Sequence, residues 1–106
     1  MISKKEKSAI KDLKNYLSKN YQLTDFRIFG SKIRGEDTPE SDLDIMAVFD
    51  YFDPIMEANI DSKLFKINLE YDCLISLLIY GRNELQDGPL SESPLYKKVM
   101  KEGIPI

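Results

Sequence analysis

The segment Asp42-Leu43-Asp44-Ile45-Met46-Ala47-Val48-Phe49 opens with acids alternating with aliphatic residues and closes in an unbroken apolar run. An apolar run of this length, bounded by polar sequence, is the pattern of a buried strand. Residues two apart on a strand point to the same face, so Asp42 and Asp44 share one. Their Cα atoms should lie roughly 6.6 Å apart at ~3.3 Å rise per residue. Two carboxylates side by side on a central strand repel and lose solvation unless a cation lies between them. The pattern reads as a metal cradle rather than a packing choice.

The remaining segments supply what such a strand needs around it. Residues 3–20 predict a helix, with Ile10, Leu13 and Leu17 at i, i+3 and i+7 and Ser3 as N-cap. Asp25 to Phe29 alternates as a short strand and ends at Gly30. Ser31 to Gly35 reads as a turn opening a short helix, and Glu36 to Ser41, with Thr38-Pro39, as a loop. Asp53-Pro54 places a cap and an N1 proline ahead of a further helix. Met56, Ile60, Leu64, Ile67 and Tyr71 follow at helical steps and trace one face of it. After Asp72, the run Cys73 to Tyr80 predicts another central strand, and Gly81 to Glu92 a polar loop. Ser93-Pro94 caps a last short helix stopped by Gly103 and Pro105. No repeat, low-complexity tract or linker interrupts the chain. The order α-β-(short α)-β-α-β-α predicts one α/β (α+β) domain over residues 1–106, a small mixed sheet with helices packed on it.

Composition narrows the chemistry. The chain has one cysteine and no histidine, which removes Ser-His-Asp and Cys-His catalysis and the usual zinc sites. A metal here would be held by oxygen ligands, which suits Mg²⁺, Mn²⁺ or Ca²⁺. Cys73 lies in an apolar run and reads as a buried structural thiol. A net charge of −3 argues against non-specific nucleic-acid binding, which needs a cationic surface, but leaves a nucleotide or specific RNA ligand open. The lysine clusters at Lys4 to Lys19 and at Lys97, Lys98 and Lys101 read as solvated helix faces. No apolar run approaches the roughly 20 residues that span a bilayer, and the basic N-terminus lacks an apolar segment behind it. The expected location is cytoplasmic.

Ahead of the paired acids stands Phe29-Gly30-Ser31-Lys32-Ile33-Arg34-Gly35. A glycine and a serine between a strand and a helix present backbone N–H groups and a hydroxyl at the positive end of the helix dipole, a ready phosphate site. Glycine lets the backbone approach an anion without a Cβ in the way, and Arg34 is near enough in sequence to add a cation. A lone Gly-Ser is usually a turn and a lone Asp-x-Asp usually a loop or cap. Together, with ten residues between Ser31 and Asp42 and a strand on each side, they point to a joint phosphate and metal site. A Walker-type NTPase fits poorly, because no Lys-Ser/Thr follows Gly35. A sugar transferase with an Asp-x-Asp metal site would need a much longer chain.

Gly30-Ser31-Lys32-Ile33-Arg34-Gly35-Glu36, Ser41-Asp42-Leu43-Asp44 and the ending Lys101-Glu102-Gly103-Ile104 resemble the DNA polymerase β-like nucleotidyltransferase superfamily, and within it the minimal nucleotidyltransferases. The resemblance covers nearly the whole chain. It implies that Gly30 and Ser31 bind the triphosphate of ATP or another NTP, to which the nearby Arg34 is a further candidate, and that Asp42 and Asp44 hold Mg²⁺, with a two-ion site as one option. It also implies a third catalytic and metal-binding carboxylate on a later strand. Asp72 is the candidate, with Glu70 the alternative, or no third acid at all. The implied reaction is transfer of a nucleoside monophosphate, AMP foremost, to a hydroxyl of a partner. The implied partner is a HEPN-type helical protein, the two forming a toxin–antitoxin pair. The competing reading is a regulatory module with weak or absent turnover that complexes a partner through its terminal helices, including Tyr96 and Val99.

Overall fold

The structure, a computed structural model, describes residues 2–36, 38, 41–86 and 89–106. Helix α1 spans Lys4–Asn20 and begins in a capping box: the Glu6 N–H donates to Ser3 Oγ at 3.1 Å and the Ser3 N–H to Glu6 Oε1 at 2.9 Å. Two of the orphan donors of the first turn are thereby satisfied reciprocally. Strand β1 follows at Leu23–Phe29, the short helix α2 at Ser31–Arg34 and strand β2 at Leu43–Phe49. Helix α3 runs over Pro54–Tyr71, with Asp53 Oδ1 accepting the Met56 N–H at 2.9 Å and proline in the first turn, as read from the sequence. Strand β3 is Ile75–Gly81 and helix α5, after the short α4 at Arg82–Gln86, is Pro94–Glu102, capped by Ser93.

Three differences from the expected elements have identifiable causes. The polar loop Gly81 to Glu92 contains α4 and a 3₁₀ turn at Pro89–Glu92. Glu84 folds back to accept the Gly81 N–H at 2.9 Å, and Leu85 packs on the sheet, two anchors too short to show a period. Asp87 and Gly88 of that loop, and Asp37, Pro39 and Glu40 of the loop before β2, lie outside the described residues. Strand β3 starts two residues later than expected. The Asn68 side chain of α3 binds the backbone of Ile75 through both N–H (2.9 Å) and C=O (3.2 Å), and Cys73 N–H donates to Asn68 O, so Cys73-Leu74 is a connector. Lastly, Ile104–Pro105 forms a fourth strand, β4, paired with β1, and Ile106 N–H reaches Phe26 O at 3.0 Å. Proline is tolerated there because β4 is an edge strand.

Among the described residues the sheet has the order β3-β2-β1-β4. β1 is antiparallel to both neighbours, whereas β2 and β3 are parallel and joined by the α3 crossover. The mixed sheet with helices packed on it is the α+β arrangement expected from the sequence. β2 is central and buries both faces. Leu43, Ile45, Ala47 and Phe49 meet Leu13 and Leu17 of α1 and Ile60 and Ile67 of α3. Met46 and Val48, on the other face, meet Tyr80 and Val99. Each fully buried Leu or Ile contributes about 1.5–3 kcal/mol, so the α1–α3 layer carries most of the core. Val99, expected on the surface of α5, is 1% exposed; Tyr96 is half-buried with its ring edge-on to Tyr80 at 5.2 Å. The inner face of α5 is core, and α5 covers only the Val48–Tyr80 end of this sheet face. At the other end Asp44 is half-buried and Ser76 exposed.

Candidate active site

The open corner is built from the end of β1 and the beginning of β2. Phe29 is the last β1 residue and pairs with Asp44. Gly30 then turns the chain at φ +86, a region that side chains with a Cβ rarely adopt. A Cβ at Gly30 would collide with Oδ2 of Asp44 and lie 3.2 Å from its Cγ. The missing side chain is thus what lets the backbone turn lie directly on a carboxylate. The Gly30 carbonyl opens α2, accepting the Ile33 and Arg34 N–H groups at 3.1 and 3.2 Å. Ser31 takes the first helical position, half-buried. Gly35 in the left-handed conformation ends the helix after one turn.

Asp42 stands exposed one residue ahead of β2, and Asp44 is its second residue. Burial raises the Asp44 carboxyl above its ordinary range, the charge of Asp42 adds to the rise, and Arg34 partly offsets both. The structure therefore places Gly30, Arg34, Asp42 and Asp44 at one corner of the sheet. Arg34 Nε also holds Glu36 Oε2 at 3.2 Å, an exposed contact a ligand could exchange for its own oxygens. Alternation and the Gly30 packing leave the two acids a cradle with its charge only partly compensated, and oxygen donors of this kind fit a divalent cation.

Asp72 lies elsewhere. It ends α3 at φ +50, its side chain is 96% exposed, and its carboxylate pairs with Lys5 at 3.6 Å. Glu70 is exposed on the last turn of α3. Among the described residues no third acidic or thiol side chain joins Asp42 and Asp44 in a metal-holding group. The residue that β3 sets beside Asp44 is Ser76, its Cα partner in the parallel register. Cys73 is half-buried, with Sγ 3.6 Å from Asn68 Oδ1, and burial pushes its thiol up.

Two further contributions were not read from the sequence. Lys32 Nζ lies 3.2 Å from Glu6 Oε2, with both side chains nearly enclosed at 7% and 12% exposure. This pair fastens α2, and with it the Gly30 turn, to the first turn of α1. Burial alone would raise the Glu6 carboxyl, but the Ser3 N–H, the Lys32 ammonium and the Ser3 hydroxyl hold it below its ordinary value. Ser76 is the other; a lone hydroxyl inside the apolar run Ile75 to Tyr80 was its one trace in the sequence. A cavity of about 370 Å³ between Val48, Arg82, Leu85 and Tyr96 opens at the far end of the sheet face and does not include the paired acids.

A glycine turn is seated on paired carboxylates at the end of the small mixed sheet of this α+β domain. The family model described as polymerase beta, nucleotidyltransferase, matches residues 11–105, and the chain belongs to that nucleotidyltransferase family. No curated protein matches it. A solved structure described as a "putative minimal nucleotidyltransferase" superimposes with a TM-score of 0.66 at 18% identity, covering 100% of this chain and 97% of that one. The fold is thus that of a minimal nucleotidyltransferase over its whole length. A structure from Sulfolobus solfataricus described as a "putative nucleotidyltransferase" gives a TM-score of 0.48 at 20% identity over 96% of this chain and 76% of that one. No helix among the described residues is long and apolar enough to cross a membrane.

Proposed function

We propose that this protein binds a nucleoside triphosphate, ATP foremost, with Mg²⁺ and transfers the nucleoside monophosphate to a hydroxyl of a partner protein. The observation that carries this reading is the Gly30 turn lying on Asp44, with Asp42 and Arg34 beside it. Asp42 and Asp44 would hold Mg²⁺, which when bound supplies neutralisation of triphosphate charge. The Gly30–Ser31 turn brings backbone and a hydroxyl to the phosphates with no side chain between, and Arg34 adds a cation on the same side. These residues orient the α-phosphorus for in-line attack, so catalysis rests on positioning. The acceptor oxygen bonds to the α-phosphorus, the bond to the β-phosphate oxygen breaks, pyrophosphate leaves, and the hydroxyl proton passes to water. A small helical protein of HEPN type is the proposed acceptor, in a toxin–antitoxin pair.

The test is a titration with ATP, GTP, CTP and UTP, with and without Mg²⁺, alongside Asp42→Asn/Asp44→Asn. Mg²⁺-dependent binding of at least one triphosphate is expected, weakened in the double variant by at least about tenfold, or ~1.4 kcal/mol. If no triphosphate binds, the isolated chain is not a nucleotidyltransferase. A second reading, a module that acts by complexing its partner, is favoured by the outer face of α3, where Ile55, Phe65 and Leu69 are 74%, 66% and 67% exposed. It would be preferred if Asp42→Asn/Asp44→Asn leaves biological activity intact.

A further inference from the structure

We infer that Ser76 is the third side chain of the Asp42–Asp44 site and limits it to a single divalent ion. This inference rests on the nucleotide-binding reading above and concerns what the site can hold. In the parallel pairing of β2 with β3, Asp44 is matched to Ser76, Met46 to Leu78 and Val48 to Tyr80. Met46, Val48, Leu78 and Tyr80 all pack in the cluster under α5, whereas Ile75, Leu77 and Ile79 pack in the α1–α3 layer. Alternation along β3 therefore turns Ser76 to the same face as Asp44. Neighbouring strands are about 4.8 Å apart, so the hydroxyl stands at the edge of the carboxylate cradle. Ser76 is exposed, and no hydrogen bond among the described residues engages its hydroxyl.

A position beside two carboxylates is where a further negative ligand would act. Two divalent ions about 3.5–4 Å apart repel strongly and are held together by carboxylates that bridge or flank them. A serine hydroxyl is neutral at physiological pH and serves a hard cation weakly, or through one of its waters. The two acids that the sequence offered for the set are placed elsewhere: Asp72 is paired with Lys5 and Glu70 is out on α3. Two carboxylates and a hydroxyl match the charge of one divalent ion, with the triphosphate supplying its remaining oxygens.

The experiment counts Mn²⁺ bound to the full chain saturated with a non-hydrolysable ATP analogue, by equilibrium dialysis and by EPR. Wild type should retain one ion per chain with the spectrum of isolated Mn²⁺. Ser76→Asp should retain two, with the exchange-coupled spectrum of a close pair; Ser76→Glu, checked like it by thermal melting, guards against a single ill-folded variant. A coupled pair already present in wild type would overturn the proposal. So would failure of both folded acidic variants to gain the second ion. If wild type retains no Mn²⁺ with the analogue, the nucleotide-binding reading itself fails, a result distinct from the other two.

Discussion

Two glycines flank α2, both with positive φ, and they differ in what surrounds them. Gly30, at +86, has Asp44 where a side chain would go; Gly35, at +75, has nothing within 4 Å. Gly35→Ala should therefore cost only the left-handed backbone penalty, about 1–2 kcal/mol, and leave nucleotide affinity within about twofold. Gly30→Ala should cost about 1–3 kcal/mol and also displace the Asp44 carboxylate, weakening Mg²⁺-dependent nucleotide binding about tenfold or more, ~1.4 kcal/mol. Urea unfolding and a nucleotide titration of both variants check this, and equal affinity in the two would show that the Gly30 contact is not part of the site. The pair Gly30 and Asp44 was readable in the sequence because each half is local: a glycine at a strand end, and acids two apart on the next strand. Ser76 was not, because its position depends on the register of two strands that meet only after folding. A one-residue slip would turn it to the opposite face.

At the scale of elements, α2 is a single turn and cannot hold its position unaided. Beside the packing of Ile33 on the core, the Glu6–Lys32 pair anchors it, reached from the capping box of α1. Glu6 has a folded pKa held below its ordinary value, so the unfolded chain takes up a proton first as pH falls. The contribution of Glu6 is then fully present above the ordinary glutamate value, near 4.3, and is lost as pH drops through the lower folded value. Glu6→Gln should destabilise the protein by about 1–3 kcal/mol at pH 7 and flatten the fall in stability below about pH 4.3. Urea midpoints from pH 3 to 7 for both proteins measure this, and parallel pH profiles would show that Glu6 is not the group responsible. Ser3 as a cap was visible in the sequence. The pairing of Glu6 with a lysine in another helix was not, since no periodicity encodes it.

For the whole molecule, the contrast between the two sides of the sheet decides which apolar residues hold the fold. Val99 is enclosed against Met46, Val48 and Tyr80, whereas Phe65 projects from α3 with two-thirds of its surface exposed. Val99→Ala should cost about 1–3 kcal/mol, and Phe65→Ser should stay within about 0.5 kcal/mol, both read by thermal or denaturant unfolding. A large loss in Phe65→Ser would mean that the outer face of α3 is buried in solution, for instance against a second copy. The helical period picked out the inner face of α3 at Met56, Ile60, Leu64, Ile67 and Tyr71, but it does not say whether the apolar residues left outside it, Ile55, Phe65 and Leu69, are covered.

The local patterns of this chain determined its helices other than the short α4, its three main strands, its mixed α+β architecture and the pairing of a glycine turn with two acids. These follow from backbone propensity, capping and the alternation of side chains along single elements, interactions that reach only a few residues. The tertiary structure decided the rest: the fourth strand, the burial of α5, the tie between Glu6 and Lys32, and the choice of Ser76 over Asp72 as the neighbour of Asp44. Each of these joins segments distant in the chain, and their geometry arises only when the packed core fixes the strand register.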